Sequence, residues 1–342
     1  MINQEQKNIL IFRIGSIGDT VIALPCFHLI RRKFPNAKIS LLTNIPNSKQ
    51  SPVIDVLGKN SEFVDEVIDY PSRLSNPIEA VRLIFKLRQY RHKTMVYLMP
   101  SRTSFQLMRD KIFFKFVGIE NILIMPNGED QRRTRIDPQT MIVEPEVKRL
   151  IRCIRPLGEI NIRDKDQWNL KLSPSESEIG KCLVERLPLP FLAIHTGGIH
   201  MQRKNEKDWG YERWSVLIEQ FKEESKFPGL LIVGSNDDQA RGQSLAKIWG
   251  DGGISICGKS SPRETAAALS NASLFCGHDS GPLHLAQSVG IPTIGLFGNF
   301  NRPNEWHPIG SHVSVIHEPK GMNKITVSQV LELMIENINA IK

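Results

Sequence analysis

Leu274-Phe-Cys-Gly-His-Asp-Ser-Gly-Pro-Leu-His-Leu-Ala-Gln-Ser-Val-Gly290 decides the fold. An apolar run, Ser273–Cys276, ends in a small-residue turn; Gly281–Ser288 then takes helical spacing, and a second apolar run follows at Pro292–Phe297. A strand, a helix and a further strand in that order read as a parallel crossover. The rhythm repeats elsewhere. Strand-like runs occupy Ile9–Ile14, Lys38–Thr43, Thr94–Met99, Phe191–His195 and Leu230–Val233, with helical spacing over Asp19–Phe34, Ile78–Tyr90, Tyr211–Glu224 and Asp237–Trp249. Near-continuous apolar strands, as opposed to alternating ones, predict parallel sheets covered on both faces. The chain is therefore expected to be α/β and doubly wound.

Length sets the domain count. The 342 residues predict about two domains. The polar stretch Leu172–Ser177 marks the expected boundary, giving domains over 1–172 and 173–325 and a closing helix in 326–342, where Thr326–Ile341 is amphipathic. Two such domains facing each other would form a cleft at the carboxyl ends of their strands, where open α/β sheets bind ligands.

An apolar content of 40% with 23% charged residues excludes collagen-like and disordered classes. No apolar run approaches the ~20 residues of a membrane span, and the N-terminus lacks a signal-peptide pattern. Five scattered cysteines without CxxC spacing argue against disulfides and zinc; all five are expected to be small buried hydrophobes in a reducing cytoplasm.

Charge is uneven along the chain. Residues 1–170 hold 27 Lys/Arg against 18 Asp/Glu, whereas residues 171–342 hold 17 against 18. A first half at +9 predicts an anionic partner, with Arg31, Arg32, Lys33, Arg88, Arg91, Arg132, Arg133 and Arg135 as candidate contacts. These cations are not interleaved with aromatics, which make up 7% of the chain, so nucleic acid is not expected as a partner.

Three clusters carry the chemistry. In the first, Asp279, Ser280, Gly281 and Pro282 open a helix directly after a strand. Its free N–H groups and positive dipole end suit a diphosphate, and His284 lies one turn further on; Asp279 or Ser280 is equally readable as the helix cap. The second is Lys204–Trp209, after the strand Phe191–His195 and its Gly197-Gly198 turn, where Lys207 could neutralise a departing phosphate. The third is Gly15-Ser-Ile-Gly-Asp19, which matches neither a P-loop nor GxGxxG. Asp19 reads as a helix cap or as a carboxylate base. After the strand Leu230–Val233, Gly234, Asn236 and Asp238 read as a ribose contact or a cap, and Asp164-Lys-Asp166 is set aside as a metal site because no apolar strand precedes it.

Together these segments resemble the heptosyltransferase family, glycosyltransferase family 9. The resemblance runs through Ile9–Pro25, Phe191–Trp214, Leu230–Asp238, Cys257–Leu269 and Leu274–Gly298, and is most specific in G-H-D-S-G-P-L-H-L-A. It implies a GT-B architecture, two Rossmann-like domains across a cleft, and inverting, metal-independent transfer with a nucleotide-sugar co-substrate and no other cofactor. The donor, ADP-heptose by default, would meet Gly197, Gly234, Asn236, Asp238, Asp279, Ser280, Gly281, Pro282 and His284, with Lys207 on its phosphates.

By the same resemblance Asp19 is the base, and Arg13, Gly15, Ser16 and Gly18 belong to the acceptor side. The implied acceptor is lipopolysaccharide core or another anionic glycolipid, reached from the cytoplasm with peripheral contact to the membrane leaflet. Two positions depart from the family pattern: Gly210 replaces the proline after Trp209, and His278 stands where many members have Asn or another small polar residue. A nucleotide-sugar epimerase or hydrolase of the same architecture, and a catalytically silent nucleotide-sugar binder, are the competing readings.

Overall fold

A computed structural model describes residues 8–45, 53–59, 61–71, 77–197 and 207–340. Gly198 and residues 204–206, within the second of the clusters read from the sequence, lie outside the described residues, as does Ile341. The chain divides into two compact units, Met1–Ile162 and Arg163–Lys342.

In the first unit β1 (Asn8–Phe12), α1 (Ile17–Lys33), β2 (Lys38–Thr43), α2 (Val53–Leu57), β3 (Glu66–Asp69), α3 (Pro77–Gln89), β4 (Thr94–Tyr97), α4 (Ser104–Val117) and β5 (Asn121–Ile124) alternate. Two further helices follow, α5 (Glu129–Arg132) and α6 (Glu146–Ile154). The strands pair in parallel in the order β3-β2-β1-β4-β5. Helix α1 packs against α2 and α6, while α3 packs against α4. Leu83 and Leu87 of α3 and Leu107, Phe114 and Val117 of α4 join Leu10, Phe12 and Tyr97 in one core.

The second unit repeats the scheme. It runs α7 (Pro174–Val184), β6 (Phe191–His195), α8 (Tyr211–Ser225), β7 (Gly229–Ile232), α9 (Gln239–Trp249), β8 (Gly253–Ser255), α10 (Pro262–Leu269), β9 (Leu274–His278), α11 (Gly281–Ser288), β10 (Thr293–Phe297), β11 (Val313–His317) and α12 (Val327–Asn339). The sheet order is β11-β10-β9-β6-β7-β8, again parallel throughout. In both units the chain winds outward on one side of its first strand and then returns to the other. That reversal leaves a crevice at the strand ends between β1 and β4, and another between β6 and β9.

Four strands had no counterpart in the sequence reading: β3, β5, β8 and β11. All four are sheet edges and mostly half-buried. Strands β3 and β8 are short and mixed in composition, whereas β5 (Asn121-Ile-Leu-Ile124) carries the same run that opens β1, and β11 (Val313–His317) is rich in β-branched residues, so both had a signal that went unread. The division between units also falls ahead of the expected 172/173. Trp168 is buried, and Arg263 of α10 donates to the carbonyls of Leu170 and Lys171, which ties that stretch to the second unit. Four cysteines are buried as expected; Cys182, on α7, is exposed.

Helix starts are strongly encoded. Ser173-Pro-Ser-Glu176 and Ser261-Pro-Arg-Glu264 each form a reciprocal capping box with proline in the first turn. Glu176 is also paired with Arg263, which pulls its carboxyl down to about 2 and joins α7 to α10. The helices come so close there that a Cβ on Gly180 would lie 2.4 Å from the Ala267 backbone carbon.

Candidate active site

The first unit presents the turn between β1 and α1. Ser16, not Asp19, is the N-cap: its hydroxyl accepts from the Asp19 amide, and Asp19 at the third helical position reaches back. Asp19 Oδ2 accepts from the Ser16 amide at 2.8 Å and from its hydroxyl at 2.7 Å. Gly15 is required here, since a Cβ on it would sit 2.6 Å from Asp19 Cβ. Gly18 is buried in the first turn. Asp19 itself is half-buried at the carboxyl end of the central strand.

Arg13 lies beneath this turn. It is 0% exposed, and its guanidinium donates to the Leu98 carbonyl at 3.0 Å and to the Asp19 carbonyl. The expected acceptor contact therefore gives way to a supporting role: burial leaves Arg13 no surface with which to meet an acceptor. Burial also lowers its pKa. A second arginine missed by the sequence reading, Arg149, is also 0% exposed, pairs with Glu146 and donates to the Met99 carbonyl at 3.0 Å. Arg13 and Arg149 thus fasten the end of β4 to the ends of α1 and α6.

The second unit gathers its chemistry at the β6/β9 switch point. Lys207 Nζ lies 2.7 Å from Asp279 Oδ2 and 4.4 Å from the centroid of the Phe300 ring. Asn301 donates to the same carboxylate oxygen. Neither Phe300 nor Asn301 was read from the sequence; their signal was a position just beyond a buried strand, β10.

Ser280 holds the N-cap position of α11, yet no side chain caps this helix. Its hydroxyl instead bonds His195 Nδ1 at 2.8 Å and donates to the His278 carbonyl at 3.0 Å. Gly281 and Pro282 form the first turn, and His284 is buried within the helix. An uncapped helix start beside a lysine ammonium is a place of positive potential suited to a diphosphate.

Behind this surface the contacts are structural. His278 Nε2 accepts from the Trp209 amide at 3.2 Å and from Trp214 Nε1 at 3.1 Å, so the ring is turned into the core. Burial, aided by the nearby His195, pushes its pKa down to about 3. His195 is likewise lowered by burial. Arg241 grips Asp208 at 3.0 and 2.9 Å and takes the Thr196 carbonyl at 2.7 Å, which anchors the residues flanking Lys207. Burial alone would raise Asp208, but Arg241 and the Gly210 amide hold it below its ordinary value.

Of the remaining donor candidates, Asp238 forms a capping box with Ser235 and lies 3.9 Å from His195 Nε2. Gly197 and Gly234 make room for it: a Cβ on either would come within 2.6 or 2.8 Å of its carboxylate oxygens. Asn236 is exposed and packs on Gly258. Asp164 caps a short helical turn, accepting from the Asp166 amide at 3.0 Å. Among the described residues no group of three His, Cys, Asp or Glu could hold a metal ion, and no helix is long and apolar enough to cross a membrane.

Each unit is a parallel, doubly wound α/β sheet, and the chain's fold is similar to that of the GT-B heptosyltransferases. A family model for glycosyltransferase family 9 (heptosyltransferase) matches residues 129–333, more than half of the chain. The chain belongs to that family and is a glycosyltransferase.

Solved structures agree on the fold. A glycosyltransferase of family 9 from Veillonella parvula superposes with a TM-score of 0.75 at 18% identity, covering 99% of each chain. The Escherichia coli ADP-heptose lipopolysaccharide heptosyltransferase II gives 0.71 at 17% identity, over 97% of this chain and 99% of that one. Escherichia coli heptosyltransferase WaaC, solved with ADP, gives 0.65 at 16%, over 96% and 99%.

Proposed function

We propose that the enzyme transfers a heptose from ADP-heptose to a lipopolysaccharide core or related anionic glycolipid, with inversion and without a metal. The observation that carries this reading is the Lys207 ammonium beside the uncapped start of α11 at the β6/β9 switch point. Those groups would take the charge of the departing diphosphate, aided by the Ser280 and Gly281 amides. Asp19 would accept the proton of the acceptor hydroxyl as its oxygen attacks the anomeric carbon. The excess of cations in the first half would draw an anionic acceptor and the cytoplasmic leaflet.

A panel of ADP-, UDP- and GDP-sugars followed by thermal shift tests the donor. Free ligand at 100 times its Kd adds about 2.7 kcal/mol of stability. ADP-heptose should raise the midpoint of the wild type and much less that of Lys207→Ala, and donor consumption should require an added saccharide acceptor and survive a chelator. A preference for another nucleotide would reassign the donor; consumption without any acceptor would mean hydrolysis or epimerisation.

A further inference from the structure

Helix α4 is apolar on two opposite sides. Leu107, Phe114 and Val117 face the core, while Phe105, Met108, Ile112 and Phe116 line the outer side at helical spacing. Phe105 is 68% and Phe116 61% exposed. The neighbouring α3 adds Phe85 at 60%, and Arg88 of α3 donates to the Phe116 carbonyl at 3.0 and 2.6 Å, fastening the two helices together. One apolar side suffices to hold a surface helix to its core, and a second, solvent-facing set of large apolar side chains with a polar rim marks an interaction site.

The rim is cationic. Arg82, Lys86, Lys111 and Lys115 are exposed on these two helices and make no ion pair among the described residues. They differ in this from several of the cations singled out from the sequence: Arg31 pairs with Asp65, Arg133 with Glu129 and Arg135 with Asp130, while Arg88 is spent on Phe116. Aromatic side chains flanked by free lysines suit the boundary between headgroups and acyl chains of an anionic bilayer.

We infer that the outer face of α3 and α4 seats the enzyme on an anionic phospholipid surface, with Phe85, Phe105 and Phe116 entering the acyl boundary and the lysines meeting headgroup phosphates. This rests on the leaflet contact proposed above and names the surface that makes it; it does not depend on the sugar transferred.

The test is co-sedimentation of the full chain with phosphatidylcholine vesicles and with phosphatidylcholine–phosphatidylglycerol vesicles, at low and physiological salt. The wild type should bind the anionic vesicles. Phe85→Ser/Phe116→Ser should weaken that binding at least tenfold while keeping its thermal midpoint and its turnover on a soluble saccharide acceptor. Lys111→Glu/Lys115→Glu should lose the preference for phosphatidylglycerol.

Anionic binding equal in the phenylalanine variant and the wild type would overturn the assignment of this face while sparing the leaflet contact. Absence of any vesicle binding would overturn both. A dimer of the wild type that the phenylalanine variant abolishes, without vesicle binding, would give the face to a second copy of the chain and likewise overturn the proposal.

Discussion

Lys207 and Asp279, 72 residues apart in sequence, meet at 2.7 Å across the switch point of the second sheet. The ends of β6 and β9 bring them together, and Asn301 from beyond β10 completes the arrangement. A half-exposed ion pair of this kind contributes little to stability, about 0–1 kcal/mol. Its importance therefore has to be sought in chemistry. Lys207→Ala is expected to lower kcat/KM by about 10²-fold or more, the usual size of a lost charge-stabilising donor, with little movement of the thermal midpoint. Steady-state kinetics beside a thermal melt checks both halves. A large loss of stability with modest kinetic change would make the pair structural.

Asp19 and Ser16 share one capping box, and this allows cap and base to be separated. Ser16→Ala removes the cap hydroxyl and should cost about 1 kcal/mol of stability while leaving most of the turnover. Asp19→Asn keeps the shape of the turn but cannot take a proton. It should cut kcat by about 10²–10⁴-fold with donor affinity nearly unchanged. Parallel loss of donor binding and turnover in Asp19→Asn would return Asp19 to a purely structural place.

Gly180 shows how closely α7 and α10 approach. Gly180→Ala would place a methyl carbon 2.4 Å from the Ala267 carbonyl carbon, where backbone, not a movable side chain, must yield. Overpacking of this kind typically costs about 1–3 kcal/mol. Denaturant titration of the variant should show it, against the modest gain that a helical Gly→Ala brings in open space.

Acid should weaken the second unit before its carboxylates titrate. His278, and His307 in the segment between β10 and β11 where its ring meets Phe297 and His317, are held neutral chiefly by burial, with pKa values of about 3 and about 4 against an ordinary 6.5. A depressed histidine contributes stability that is complete above pH 6.5 and is lost as the pH falls toward the folded-state value. The slope approaches about 1.4 kcal/mol per pH unit for each such group. Between pH 6.5 and 4.5, His278→Asn, whose side-chain oxygen can still receive the tryptophan N–H groups, should show a shallower decline than the wild type. Equal slopes would mean that His278 is not held neutral.

Much of this protein is written locally. The inner strands and the helix between Gly281 and Ser288 announce themselves through unbroken apolar runs and periodicity, because burial on both sheet faces tolerates little else. The family-specific segment around Asp279 and the Ser/Pro/Glu helix starts are also short-range patterns. The edge strands are different: they are half-solvated, β3 and β8 are short and mixed in composition, and β5 repeats the Asn-Ile-Leu-Ile of β1 yet lies at an edge, so pairing with an inner neighbour decides their place in the sheet.

Tertiary structure alone decided which polar groups serve the surface and which serve the interior. Arg13 sits in the same motif as Asp19, yet the end of β4 closes over it, so its charge is used on backbone carbonyls. His278 is adjacent to Asp279, but alternation along a strand sends its ring into the core, to Trp209 and Trp214. Helix α4 had no counterpart in the sequence analysis, and which of its apolar sides stays uncovered depends on where the sheet lies. Sequence fixes what a segment can become; the neighbours that long-range packing supplies determine which of its atoms remain free to act.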